Sequence, residues 1–433
     1  MKFIKKGITY ISVFFCTIAI LMGLLVCAAM IPKSAIKENV QKSAEFLCEG
    51  KLFGTVVEGV NGSKIDRYAD SILLAIAYQY DEKEPLTSVM WSSYYYTKYQ
   101  NENKNLFDAV TQDLPANQQY LRYWHGSNVI VRPLLLVFSL EQIYVINGIV
   151  IVILIAVLLG LLIKEKAWAP ALGFAAGLVL TNSWYVPLSL EYTWSYILML
   201  AAAIVCWKVV IRQKYAVLDI VFLAIGILTN FMDFLTTETM TVLVPLLLVV
   251  WVELNRNKCG SVFGLVKNAV KWMVLWGVGY VGMWLMKWGL ASVVLQQNVM
   301  PYVTGHIAER VSGDVGLGLG QYIVATIGRN IGCLFPFEYG LFGRIAGLVF
   351  WFVFTYVICF YHKEQIIKGR IFCYIFISMI PFVRYLVLMN HSYLHAFFTY
   401  RALFATVFSL MLILDEVVEW RWLIREYPRK RKS

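Results

Sequence analysis

The feature that most constrains this chain is a recurrence of apolar stretches, each about 20 residues long, broken by short polar links. A bilayer crossing needs about 20 consecutive apolar residues, and about ten such stretches are present. Composition agrees: 59% of the 433 residues are hydrophobic and only 15% charged, whereas soluble domains carry about 25% charged residues. The expected fold is an all-α polytopic membrane protein with about ten transmembrane helices, in a range of roughly 9–12.

The links set the orientation. Lys2, Lys5 and Lys6 precede an apolar run at 7–30. A cleavable signal has an apolar core of only about 7–15 residues, so this run reads as a retained anchor. Further spans are expected at 142–163, 168–181, 193–211, 216–235, 239–254, 269–290, 346–361, 371–389 and 400–418. Alternation then puts Lys164/Lys166, Arg212/Lys214, Arg256/Lys258/Lys267, Lys363/Lys368/Arg370 and the tail Arg429-Lys430-Arg431-Lys432 on one side. Cytoplasmic loops are rich in Lys and Arg, so both termini are expected in the cytoplasm of a cell-membrane protein. The ambiguous places are 129–140, read as a partial insertion, and 321–337, read as re-entrant.

Four regions follow: an anchor at 1–31, an extracytoplasmic loop at 32–127 with interfacial helices, a multi-span bundle at 128–420 with an outer loop at 291–345, and a basic tail at 421–433. The net charge of +11 comes from short clusters between apolar runs, not from a stripe interleaved with aromatics. It therefore gives no nucleic-acid signal. The eight cysteines form no CxxC pair and no Cys/His cluster, so neither a disulfide framework nor a zinc site is expected.

Ionisable residues in or beside a span are costly and are functional candidates by default. Asp66 and Asp70 are four apart, on one face of any helix, just before the apolar run Ile72-Leu73-Leu74. A carboxylate at such a boundary can serve as a general base; helix-start capping is the alternative. Trp124 and His125 follow Arg122 and Tyr123, and aromatic faces suit sugar rings. Arg132 sits in an apolar run beside Pro133 and asks for an anion, which a lipid-linked phosphate would supply. Asp233 and Glu238 flank the junction between two spans, with Glu238 read as part of a helix start.

The last outer turn gathers Arg384, His391, His395 and Arg401, a cage suited to a phosphate leaving group. The four-residue spacing of the histidines also occurs in paired metal ligands, though no third ligand is near. The loop 296–329 carries His306, Glu309, Arg310 and several glycines, and reads as a lid or a connection.

This layout resembles the GT-C superfamily of membrane glycosyltransferases. The resemblance rests on Asp66 and Asp70 after the first span, and on Arg132-Pro133-Leu134-Leu135-Leu136 opening the second apolar region. It covers the first ~165 residues in layout and the rest in general plan. An adjacent acidic pair found in many members is absent, and Arg-Pro stands for Pro-Pro. The resemblance implies a polyprenyl-phosphate-linked sugar as donor and a cell-envelope glycan or protein as acceptor. It implies inverting transfer on the extracytoplasmic face, with Asp70 as base ahead of Asp66. Phosphate and substrate would be held among Arg132, Arg384, Arg401, His391, His395, Trp124, His125 and Asp233. Some members use a divalent cation. The alternatives are a lipid-linked glycan polymerase or ligase, and a transporter or flippase for a lipid-linked or anionic solute.

Overall fold

The computed structural model describes residues 2–420 except 234, 257–261, 312 and 314. The basic tail at 421–433, Lys258 and Cys259 lie outside the described residues.

The chain opens with α1 (Lys2–Ala29), a continuous apolar helix. Four shorter helices follow: α2 (Lys33–Cys48), α3 (Arg67–Gln79), α4 (Pro85–Trp91) and α5 (Glu102–Thr111). Next come α6 (Asn128–Leu134), α7 (Leu140–Lys164), α8 (Trp168–Leu180), α9 (Leu190–Ile211), α10 (Tyr215–Met232), α11 (Met240–Asn255) and α12 (Val262–Val294). The last third holds α13 (Met300–Val311), α14 (Leu319–Gly332), α15 (Gly340–Phe360), α16 (Lys368–Ser378), α17 (Ile380–Val387), α18 (Met389–Leu394), α19 (Ala396–Thr399) and α20 (Phe404–Val417).

Among the described residues, eight helical segments are long and apolar enough to cross a membrane. Two shorter apolar helices, α8 and α11, occupy the third and sixth of the ten expected positions. The protein is an all-α polytopic membrane protein. The 129–140 stretch is a single short helix, α6, that stops just past Pro133. The 321–337 stretch contains the amphipathic α14, which packs on α17, α18 and α19.

Local chemistry sets the boundaries. Ser139 and Gln142 form a reciprocal capping box that starts α7, and the Leu140 amide donates to Ser43 Oγ at 2.8 Å, tying α2 to α7. Close packing of α10 on α12 depends on Gly226 and Gly279. A Cβ on Gly226 would strike the Trp276 carbonyl, and one on Gly279 the Leu223 carbonyl. Small residues at such crossings let helix backbones approach within a membrane.

The basic clusters gather at one end. Lys6 and Lys271 both pair with the buried Asp219, at 2.6 and 2.7 Å. Arg256 donates to the Val210 and Ile211 carbonyls that end α9. Arg370 bonds the Leu254 carbonyl and Glu416. At the opposite end, α2–α5 and the loops around them cover the bundle. Their apolar faces merge with α1, α10 and α12 into one core through Leu74, Ile76, Trp124, Phe231 and Met283.

Candidate active-site cavity

The first turn of α3 builds the floor of a cavity at the loop-covered end. Asp66 caps that helix, accepting the Ala69 amide at 2.9 Å. The first turn of α9 brings Glu191 to the same cavity wall. Like charges side by side disfavour ionisation of both groups. Burial raises the Asp66 carboxyl above the ordinary range, against the Ala69 amide and the Lys64 charge, which favour its anion.

The cavity encloses about 210 Å³ and is lined by Asp66, Glu191, Arg122, Arg310 and a wall of rings. Tyr68, Tyr120, Tyr123 and Phe398 supply aromatic faces, with His125, His391 and His395 among them. The Arg122 guanidinium lies 4.0 Å from the Tyr120 ring centre. Arg310 donates to His391 Nδ1 at 3.2 Å, and His391 Nε2 bonds the Leu235 carbonyl at 2.9 Å. Both ring nitrogens of His391 are thereby engaged, which fixes Nε2 as the protonated one. Burial holds His391 well below its usual pKa and lowers His395 to about 4 and His125 to about 3. All three are neutral near pH 7.

A second cavity adjoins the first through shared walls of Arg122, Tyr123 and Arg310. It lies between α12 and α13, and its remaining wall is apolar apart from His306: Leu235, Trp284, Trp288, Val303, Ile307 and Leu388. Trp276, Tyr280, Trp284 and Trp288 form a ladder of ring contacts down one face of α12, with successive centroids 4.8, 5.2 and 5.8 Å apart.

Of the ten residues expected at the site, Asp66, His125, His391 and His395 line the cavity. Asp70 does not. It is wholly buried and accepts from Tyr144 Oη, from Ser189 Oγ at 3.1 Å and from the Leu190 and Glu191 amides at 3.0 and 3.3 Å. Those amides begin α9, so Asp70 caps a neighbouring helix whose first donors are otherwise unmet. Burial nonetheless raises its carboxyl to about 7.

The three expected phosphate-binding arginines are also engaged elsewhere. Arg132 donates to the Ile31 and Tyr80 carbonyls at 2.5 and 3.2 Å. Arg384 forks onto Glu238 at 2.7 and 3.1 Å and also bonds Ser392 and the Leu235 carbonyl. Arg401 holds the Phe397 and Gly62 carbonyls and stacks over Tyr192. Trp124 is buried with its indole donating to the Met283 carbonyl at 2.9 Å. Asp233 closes onto the Thr236 amide at 3.1 Å and its hydroxyl. The arginines that reach the cavity are instead Arg122 and Arg310.

Glu191 is the carboxyl that sequence reading passed over. Its one signal is an acidic residue opening an apolar span, which ordinary helix-dipole pairing also explains. Among the described residues no three His, Cys, Asp or Glu side chains converge on a metal position. The carboxyl pair alone offers fewer ligands than a divalent ion takes.

Fold and cavity define the class: a polytopic helical membrane protein with a polar chamber at its loop-covered end, beside an apolar groove. Comparison with protein-family models, curated proteins and solved structures finds no match to this chain.

Proposed function

We propose that the protein is a membrane glycosyltransferase that moves a sugar from a polyprenyl-phosphate donor to a cell-envelope acceptor, with inversion. One observation carries this reading: carboxyls, paired arginines and an apolar groove follow one another across two adjoining cavities that share Arg122, Tyr123 and Arg310. A lipid-linked sugar phosphate has the same three parts in the same order. The prenyl chain lies along Trp284 and Trp288 between α12 and α13. The phosphate sits between Arg122 and Arg310, whose guanidinium geometry suits its oxygens. The sugar stacks among Tyr68, Tyr120 and Phe398.

Asp66 is the base. It takes the proton of the acceptor hydroxyl as that oxygen bonds the anomeric carbon. The bond from that carbon to the phosphate oxygen breaks, and the arginines stabilise the polyprenyl phosphate as it leaves. The basic end of the bundle faces the cytoplasm, so the chamber opens on the extracytoplasmic side of the cell membrane. Buried charges away from the chamber sit in ion pairs, in helix caps and turns, or on carbonyls rather than along a central path, which weighs against a transporter.

The test is a mass-spectrometric profile of envelope glycans and lipid-linked sugars, comparing wild type with Asp66→Asn at matched protein level. A missing sugar with its donor accumulating supports the reading. An unchanged profile removes it.

A further inference from the structure

The chamber floor holds a second carboxyl beside Asp66. Glu191 is 7% exposed, and its Oε2 is buried without a hydrogen bond. Buried polar atoms are nearly always satisfied, and leaving one bare costs stability. The side chain lines a cavity, so a partner for its carboxyl is to be sought among what enters there.

Its placement is built by two helices that hold each other. The first turn of α3 sends Asp66 into the chamber and Asp70 onto the amides of Leu190 and Glu191. That cap fixes the first turn of α9, which returns Glu191 to Asp66. Tyr144 and Ser189 complete the cap and set the angle of Asp70. A carboxyl pair held from both sides by helix caps is a rigid element.

We infer that Glu191 is a second catalytic carboxyl, accepting a hydrogen bond from a hydroxyl adjacent to the one that Asp66 deprotonates. This rests on the glycosyltransfer reading and names its acceptor class. Two neighbouring carboxyls suit two hydroxyls on adjacent carbons, the vicinal diol of a sugar ring. A serine or threonine side chain offers one. The acceptor is therefore a carbohydrate. In the step itself the attacking hydroxyl gives its proton to Asp66, the neighbouring hydroxyl keeps its own in a bond to Glu191, and the phosphate leaves with the bonding pair.

The experiment uses the full chain in its own membrane, with wild type, Asp66→Asn and Glu191→Gln compared at equal protein level and equal thermal stability. Glutamine keeps the shape of Glu191 and loses the carboxyl. Transfer by Glu191→Gln is expected to fall about 100-fold, within the range general acid–base groups supply, and the missing sugar is expected on a glycan hydroxyl with a hydroxyl beside it. Unchanged transfer in Glu191→Gln with transfer lost in Asp66→Asn overturns the inference and leaves the glycosyltransfer reading standing. A product sugar found on Ser or Thr overturns the acceptor class. Unchanged transfer in Asp66→Asn overturns both. If Glu191→Gln is not stable, the infrared carbonyl band of protonated carboxyls in purified wild type and Asp66→Asn decides. A band altered by Asp66→Asn supports the carboxyl pair, and an identical band overturns it.

Discussion

Asp66 and Asp70 stand one turn apart on α3 and serve different places. Asp66 opens into the chamber, whereas Asp70 closes the start of α9. The difference is a matter of direction: Asp66 turns back onto the Ala69 amide at the edge of the chamber, and Asp70, one turn on, points into the protein core.

Asp66→Asn is expected to abolish transfer, by about 10²–10⁴-fold, and to leave the fold intact. Asparagine caps a helix as well as aspartate does. An in vitro transfer assay on the purified variant, alongside its melting temperature, checks both parts.

Asp70→Ala should act first on stability. It strands the Leu190 and Glu191 amides and the Tyr144 and Ser189 hydroxyls, each worth about 1–3 kcal/mol when buried and unmet. Tyr144→Phe removes one donor and leaves the rest of the cap, for about 1 kcal/mol. Thermal unfolding in detergent should rank wild type, Tyr144→Phe and Asp70→Ala in descending order. A melting temperature unchanged in Asp70→Ala would refute the capping role.

The arginines should separate into two groups. Arg384→Ala leaves Glu238 buried and unpaired, which costs about 3–5 kcal/mol. Arg122→Ala and Arg310→Ala should fold normally and weaken donor binding by about 10–100-fold, the worth of one charge-assisted hydrogen bond. The measurement is KM for the lipid-linked donor. An unchanged KM in both would move the phosphate elsewhere.

Transfer should depend on pH through Asp66. The base works as its anion, and burial raises its pKa, so activity is lost as pH falls through a midpoint above the ordinary value of about 4. Glu191 shares the cavity wall with Asp66, and the Lys64 charge opposes the shift. Lys64→Gln should therefore move the acid limb of the rate profile upward. A limb at the ordinary carboxylate position would count against Asp66 as the buried base.

The helical plan was legible because an apolar run of span length admits few other folds, and each of the ten expected spans overlaps helix among the described residues. The chamber was legible only in part. Asp66, His125, His391 and His395 line it, and they stood out as polar residues at span borders. Arg132, Arg384 and Arg401 stood out for the same reason, yet Glu238 holds Arg384 and backbone carbonyls hold Arg132 and Arg401 inside the protein. A sequence displays the demand of a buried charge for a partner, and it does not display which partner answers. Glu191 stayed hidden because a glutamate at a helix start has an everyday explanation.

The clasp at Gly62 has a consequence for handling the protein. The Gly62 amide donates to Glu338 at 2.7 Å, and its carbonyl accepts from Tyr400 and Arg401 at 3.0 and 3.3 Å. A Cβ there would run into the Cys333 carbonyl. The segment that reads as an extracytoplasmic loop is thus riveted to the last third of the chain, more than 270 positions away. Expressed by itself it would lack the contacts of Glu338, Tyr400 and Arg401, and a single peptide-bond cut in the 32–127 region should leave two fragments that still travel together through purification.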